Sequence, residues 1–219
     1  MATPGLLDAL PEDERRRVLA SMRRRRFAKG DTLVHAGDPG DSLHVIAKGH
    51  VAIVVTTPLG ETATLTVLGP GDSFGEQALL TPEAIRTASA RALEACETRC
   101  LHRDDFEALR QSHPAVERFL TAALAAQVRR LTAHLLEAMY VPADRRVLRR
   151  LAELVEAYRD GDGAGATVPV TQEDLATMAG TTRPTVNRVL RAAQDDGVLT
   201  VSRGRVTVAD LERLRARAR

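Results

Sequence analysis

An arginine, a hydroxyl and exposed backbone N–H groups that converge on one point can hold a phosphate, and a carboxylate beside them can accept from a ribose hydroxyl. One stretch of this sequence carries those residue types at short spacing. Gly69-Pro70-Gly71-Asp72-Ser73 leads into Phe74-Gly75-Glu76, and after nine residues comes Arg86-Thr87-Ala88. The set is suited to binding rather than to reaction. No nucleophile sits beside a base, and the six histidines and two cysteines show no metal-ligand spacing. The sequence therefore predicts no enzyme, no catalytic residue and no metal.

A second stretch carries different chemistry. Thr171 with Asp174 three residues on is a capping-box arrangement at a helix start, and Leu175, Ala176 and Met178 give that helix an apolar side. Ala179-Gly180-Thr181 forms a tight turn, with Gly180 free to adopt the left-handed conformation. Thr182 is placed to cap a second helix, and Pro184 falls in its first turn, where a missing N–H costs nothing. Val186, Val189, Leu190 and Ala193 form a buried stripe, leaving Arg183, Thr185, Asn187, Arg188 and Arg191 outside. Two short helices joined by a glycine turn, the second displaying Arg and Asn, describe a helix-turn-helix with its recognition helix. Arg can donate twice to guanine O6 and N7, while Thr hydroxyls and helix-start N–H groups can hold phosphate. The following segment, 198–208, reads as a hairpin turning at Arg203-Gly204, a wing whose Arg203 and Arg205 face the DNA backbone.

The elements that must position these residues fall into three parts. Residues 5–21 read as a short helix with acids at 12–14 after Pro11. The arginines at 15–17 and 23–26 read as a solvated helix face leading into a strand rather than as a nucleic-acid patch. From about Arg25 to Asp104, β-branched runs alternate with glycine-rich turns every few residues, which predicts an antiparallel sandwich or barrel. From Pro114 to Met139 one helical stretch lacks Gly and Pro after its first residue. Leu124, Val128, Leu131, Leu135 and Ala138 recur there at 4-3-4-3 spacing, a seam for a two-stranded coiled coil. Phe119, Leu120 and Leu136 supply an opposite apolar face to cover the β domain. Tyr140-Val141-Pro142 breaks the helix as a hinge, and 142–219 form a second domain. This opens with helix 143–159 and the loop 159–167.

Bulk properties narrow the setting. The chain has 219 residues and a formal net charge of +2. From Pro142 onward there are 14 Arg, no Lys and 11 acids, so 14 − 11 = +3; the part before it has 17 basic and 18 acidic residues, 17 − 18 = −1. No segment approaches the roughly 18 apolar residues of a membrane span, and no signal peptide is recognisable, so a cytoplasmic location is expected. Cys96 and Cys100 lie on one strand with their Cα atoms roughly 13 Å apart; a disulfide needs less than about 7 Å, so they read as two small buried side chains.

Phe74-Gly75-Glu76 and Arg86-Thr87-Ala88 resemble the phosphate-binding cassette of the cyclic-AMP receptor and fumarate-nitrate-reduction regulator (Crp–Fnr) family. The resemblance extends over nearly the whole chain. It implies an α+β protein: an N-terminal double-stranded β-helix (jelly-roll) domain at 1–113, a dimerisation helix and hinge at 114–141, and a winged helix-turn-helix at 142–219. By resemblance Gly75 supplies backbone N–H, Glu76 holds the ribose hydroxyl, and Arg86 and Thr87 hold the cyclic phosphate of cAMP or another cyclic nucleotide. A Thr-Ser pair that contacts the purine in the family corresponds here to Leu131-Thr132; Leu131 has no hydrogen-bonding group, which leaves the base undetermined. Both arginines that family members use on TGTGA-like half-sites are kept as Arg183 and Arg188, but Pro184 replaces the glutamate between them. The implied partners are palindromic DNA, read through Thr171, Thr182, Arg183, Thr185, Asn187, Arg188, Arg191 and Arg203, and a second copy of the chain, with RNA polymerase also admitted. Iron–sulfur members use an N-terminal cysteine cluster, which this sequence lacks. Two alternatives stay open: the same regulator with another effector or none, and a cyclic-nucleotide-binding module acting on a protein partner.

Overall fold

The computed structural model describes residues 11–56, 60, 62–79, 83–112, 115–159 and 163–219. Residues 5–10 of the helix expected at 5–21 lie outside these residues. The chain folds as two compact units, residues 1–56 with 66–131, and residues 57–65 with 132–219.

The first unit opens with α1 (Glu12–Ser21) and then builds β1 (Arg23–Phe27), β2 (Thr32–Val34), β3 (Ser42–Lys48), β4 (Val51–Thr56), β5 (Thr62–Leu68), β6 (Ser73–Phe74), β7 (Ser89–Ala92) and β8 (Cys96–His102). They form two four-stranded sheets, ordered β1-β8-β3-β6 and β2-β7-β4-β5; the pairs β1–β8, β8–β3, β3–β6, β2–β7 and β7–β4 are antiparallel. This is the expected jelly-roll sandwich. Strand β3 shows why the sheets pack as they do, because it is buried on both faces from Ser42 to Ile46, with successive side chains pointing to opposite sides. Leu43 and Val45 join Val18, Met22, Leu101, Phe106 and Leu120 under the helices. Ile46 faces the other way, into a core with Leu33, Val51, Phe74, Ala90 and Cys96 drawn from both sheets. Cys96 and Cys100 are buried and free, as their spacing requires. A 3-10 turn (Glu76–Leu79) and α2 (Arg103–Ser112) complete the packing; neither follows from the sequence pattern.

Helix α3 spans Ala115–Tyr140. Val128, Leu131 and Leu135, on the expected seam, are exposed, at 62%, 58% and 61%. Leu124 departs from that expectation: it is partly buried against the core beneath the first unit's helices. The opposite face is also revised. Leu120 is buried as expected, but Leu136 is 52% exposed. The side chain of Phe119 lies outside the described set.

The second unit holds α4 (Ala143–Tyr158), β9 (Ala166–Val168), α5 (Gln172–Ala179), α6 (Arg183–Asp195), β10 (Leu199–Ser202), β11 (Arg205–Val208) and α7 (Leu211–Arg217), with the antiparallel sheet order β10-β11-β9. Its core takes Val147, Leu151 and Val155 from α4, Leu175 and Ala176 from α5, and Val186, Val189, Leu190 and Ala193 from α6. The end of the expected loop 159–167 is instead the start of β9. Ala166 and Thr167 pair with Val208 and Thr207, and the two threonine hydroxyls lie 3.0 Å apart. Gly165 permits the approach, since a Cβ there would strike the Val208 carbonyl. Helix α7 also escapes the sequence reading; Asp210 caps it, and Leu211 and Leu214 are fully buried.

Arg146 ties the start of α4 to the end of α5. It donates to the carbonyls of Ala179 (2.8 Å), Gly180 (2.9 Å) and Val141 (2.8 Å). The first two lie at the C-terminal end of α5, where carbonyls are left unpaired within the helix. Arg146→Ala should lower the stability of the second unit by roughly 2 kcal/mol, measured by urea unfolding of the full chain; a change indistinguishable from that of Arg191→Ala would show that the bonds are not structural.

Candidate effector site and nucleic-acid interface

The first candidate site is built where β6 runs into the 3-10 turn. Gly75 sits between them at φ +84°, a conformation that suits glycine, and a Cβ there would collide with the Arg86 guanidinium. Arg86 comes from the other side and is 7% exposed. Its backbone is pinned by the loop 37–41: Arg86 N donates to Asp38 O (2.8 Å), Gly37 N donates to Arg86 O (2.8 Å), and Gly40 N donates to Ala84 O (2.7 Å). Its Nη2 donates to Ser42 Oγ at 3.0 Å and lies 3.6 Å from Asp41. Its Nη1, also buried, has no hydrogen-bond partner among the described residues. Glu76 is buried next to Gly75, and Thr87 is exposed.

Charge around this point is balanced by carboxylates. Burial pushes the Arg86 guanidinium down from its ordinary value, and Asp41, Cys100, Glu76 and Asp38 oppose that shift. Burial alone would raise the Asp41 carboxyl, but the Ser42 hydroxyl, His102 and Arg86 outweigh it and hold Asp41 below the usual range.

Three supporting residues carry no sequence signal. Arg103 Nε donates to Ala78 O at 2.7 Å and its Nη2 to Gly40 O, tying the 3-10 turn to the loop that pins Arg86. His44 stacks flat on Phe74, with centroids 5.0 Å apart and planes 6° from parallel, and its Nδ1 lies 3.1 Å from Thr98 Oγ1. Ser42, the Arg86 partner, sits two residues before His44 on β3. Each contact joins segments too distant in sequence for local patterning to reveal. Leu131 and Thr132 are exposed residues of α3.

The second candidate site is the outer face of α5, α6 and the β10–β11 hairpin. The capping box at Thr171 forms as expected, with Thr171 Oγ1 accepting from Asp174 N (3.1 Å) and Asp174 Oδ2 accepting from Thr171 N (3.0 Å). Gly180 is left-handed at φ 58°. Thr182 occupies the N-cap position of α6 but makes no side-chain cap bond; its hydroxyl lies 3.1 Å from that of Thr185 instead. Arg183, Arg191 and Arg203 are exposed, while Thr185 and Asn187 are half buried. Asn187 Nδ2 donates to Gln172 Oε1 at 3.2 Å. Arg188 is paired with Asp144 through both terminal nitrogens. Neither Gln172 nor Asp144 carries a sequence signal, because each acts from another helix.

A β-roll with a buried arginine beside Gly75, followed by a winged helix-turn-helix, has the architecture of a DNA-binding transcription regulator. Comparison with known proteins agrees. Residues 24–113 match the cyclic nucleotide-binding domain model, and residues 145–217 match the Crp-like helix-turn-helix domain model. The cyclic AMP receptor protein of Thermus thermophilus is 35% identical over 205 residues, covering 94% of this chain and 92% of that protein. The CRP-like cAMP-activated global transcriptional regulator of Mycobacterium tuberculosis is 31% identical over 195 residues, covering 88% and 87%. The structure of the c-di-GMP responsive global regulator CLP of Xanthomonas campestris superposes with a TM-score of 0.73 at 25% identity, covering 90% of this chain and 99% of that one. The chain belongs to the Crp–Fnr family: it is a transcription regulator with a cyclic nucleotide-binding domain and a DNA-binding helix-turn-helix, not an enzyme. Among the described residues no helix is long and apolar enough to cross a membrane, and no cluster of potential metal ligands occurs.

His44 gives this site a pH signature. Burial, with Arg86 and Arg25 adding to it, pushes the imidazole down to about 4 from its ordinary value of 6.5. The unfolded chain therefore binds a proton at His44 below pH 6.5 that the folded chain refuses until about pH 4. Stability falls as pH drops through that window. Between pH 7 and pH 5 wild type should lose about 2 kcal/mol more than His44→Gln, measured by urea unfolding at both values; equal losses would refute the assignment.

Proposed function

We propose that the chain acts as a homodimer controlled by cAMP, held by Gly75, Glu76, Arg86 and Thr87 with Leu131 and Thr132 of α3 against the purine. In this reading residues 1–113 sense, 114–141 dimerise and 142–219 bind DNA. The observation that carries it is the unpartnered, buried Nη1 of Arg86 beside Gly75. A buried charged donor without an acceptor is costly, and a phosphate oxygen is the acceptor that both its charge and its position favour. The apolar seam of Val128, Leu131 and Leu135 supports a second copy as partner, since such a/d residues pair in coiled coils. The similarity to cAMP-activated relatives adds to both.

Effector binding shifts the population toward a dimer that holds its two recognition helices about 34 Å apart, one turn of DNA. Arg183 and Arg188 read bases in a two-fold palindrome. Asn187 and Arg191 flank them, Thr171, Thr182 and Thr185 lie toward phosphate, and Arg203 approaches the backbone from the wing. A cytoplasmic location, and RNA polymerase as the complex such a regulator recruits or blocks, complete the reading. One observation favours a second effector. Leu131 offers a purine no hydrogen bond, and CLP, of the same architecture, is described as c-di-GMP responsive, so a cyclic dinucleotide is the alternative.

Titration calorimetry with cAMP, cGMP and c-di-GMP separates these. Heat with cAMP that disappears in Arg86→Leu, while the variant stays dimeric by light scattering, is the expected result. Heat with c-di-GMP alone selects the alternative, and unchanged cAMP affinity in Arg86→Leu rejects the cassette. Selection from a random duplex pool should return an inverted repeat. On it Arg188→Ala should bind roughly 5- to 150-fold more weakly, with a much smaller loss on scrambled DNA; equal losses on both would restrict Arg188 to phosphate.

A further inference from the structure

Several arginine contacts in the second unit involve a buried or half-buried arginine. Arg150 is 5% exposed and binds Glu137, Glu153 and His134; Arg149 binds Glu137 at 2.9 Å. The Arg188 contact is different. Its side chain is 65% exposed and that of its partner, Asp144, is 47% exposed. Asp144 stands in the first turn of α4, where Nη1 of Arg188 donates to its Oδ2 at 2.8 Å and Nη2 to its Oδ1 at 2.7 Å. The pairing holds the Asp144 carboxyl below its ordinary range, chiefly through the hydrogen bonds from Arg188. An ion pair this exposed is weak and screened by salt, so it contributes little to the fold.

Its geometry matters more than its strength. The distal fork of Arg188, one N–H from each terminal nitrogen, is the same fork that spans guanine O6 and N7. It cannot face the carboxylate and a base edge together. We propose that Asp144 is an internal competitor for the base-reading arginine: it occupies the Arg188 fork in the free protein and lowers DNA affinity until a guanine displaces it. The proposal rests on the DNA-reading role of α6 given above and assigns the opposing group. A good bidentate base contact outweighs an exposed ion pair, so displacement is favourable on the operator, and the released carboxylate then stands close to phosphates that repel it. Asp144 thus sets the level of affinity. It need not change the ranking of sequences, because the cost of releasing Arg188 is the same whichever acceptor takes it.

The test is a double-mutant cycle on the duplex recovered by the selection above, measured by fluorescence anisotropy at two salt concentrations. Asp144→Asn, which keeps the shape of the side chain, should bind about two- to five-fold more tightly than wild type at low salt, and the gain should shrink as salt rises. In an Arg188→Ala background the same substitution should change affinity by much less. Weaker binding by Asp144→Asn would overturn the proposal in favour of a carboxylate that aims Arg188 at its base. An equal gain with and without Arg188 would overturn it in favour of simple charge removal. If wild type recovers no duplex from the pool, with or without cyclic nucleotide, the DNA-reading role fails and this proposal with it; if wild type binds and Asp144→Asn is unchanged, the proposal fails alone.

Discussion

A cation held inside a protein must be given acceptors, and the first unit is organised around one that has too few. Arg86 donates from one terminal nitrogen to Ser42 and faces Asp41 at the edge of contact distance, while its other terminal nitrogen is buried without a partner among the described residues. Leaving a charged donor in that condition costs more than the roughly 1–3 kcal/mol typical of a neutral one. The surroundings prevent the side chain from escaping. The loop 37–41 grips its backbone, Arg103 binds that loop to the 3-10 turn, and Gly75 leaves room for the guanidinium where any side chain would obstruct it. An underused donor kept in place in this way is the feature on which the proposed anion site rests.

The second unit solves a different problem with the same residue type. Among its buried or half-buried arginines, Arg146 and Arg150 each bind several acceptors and cross-link helices. Arg183, Arg191 and Arg203 are turned outward. What separates the two groups is the supply of carbonyls and carboxylates nearby. Arg146 meets the frayed end of α5, and Arg150 meets Glu137 and Glu153. The outer face of α6 offers few acceptors, and the pairing of Arg188 with Asp144 is the exception there.

Local rules account for much of this chain. The capping box at Thr171, the left-handed Gly180 and the stripe Val186, Val189, Leu190 and Ala193 depend on residues within one or two turns, and all three stand in the structure. The spacing from Phe74-Gly75-Glu76 to Arg86 locates residues that do converge. Sequence and structure part where a distant partner decides the outcome. Ala166 and Thr167 sit in a glycine-rich stretch that reads as loop, and they become a strand only because β11 lies open to them about 40 residues on. Thr182 has the right type for a cap, yet its hydroxyl turns to Thr185. Leu124 fits the heptad but is drawn into the core beside α1. His44 and Arg103 have no local signature, since one matters by stacking on Phe74 and the other by reaching the Gly40 carbonyl.

The cationic face of the second unit is made without a single lysine: all 14 of the basic residues after Val141 are arginines. A guanidinium stays protonated at any pH a cell experiences, and it is not a substrate for acetyl transfer as an amine is. Neither acidification nor lysine acetylation can therefore dim the attraction of this surface for a polyanion. Control over it has to act through where the arginines are held, not through whether they are charged.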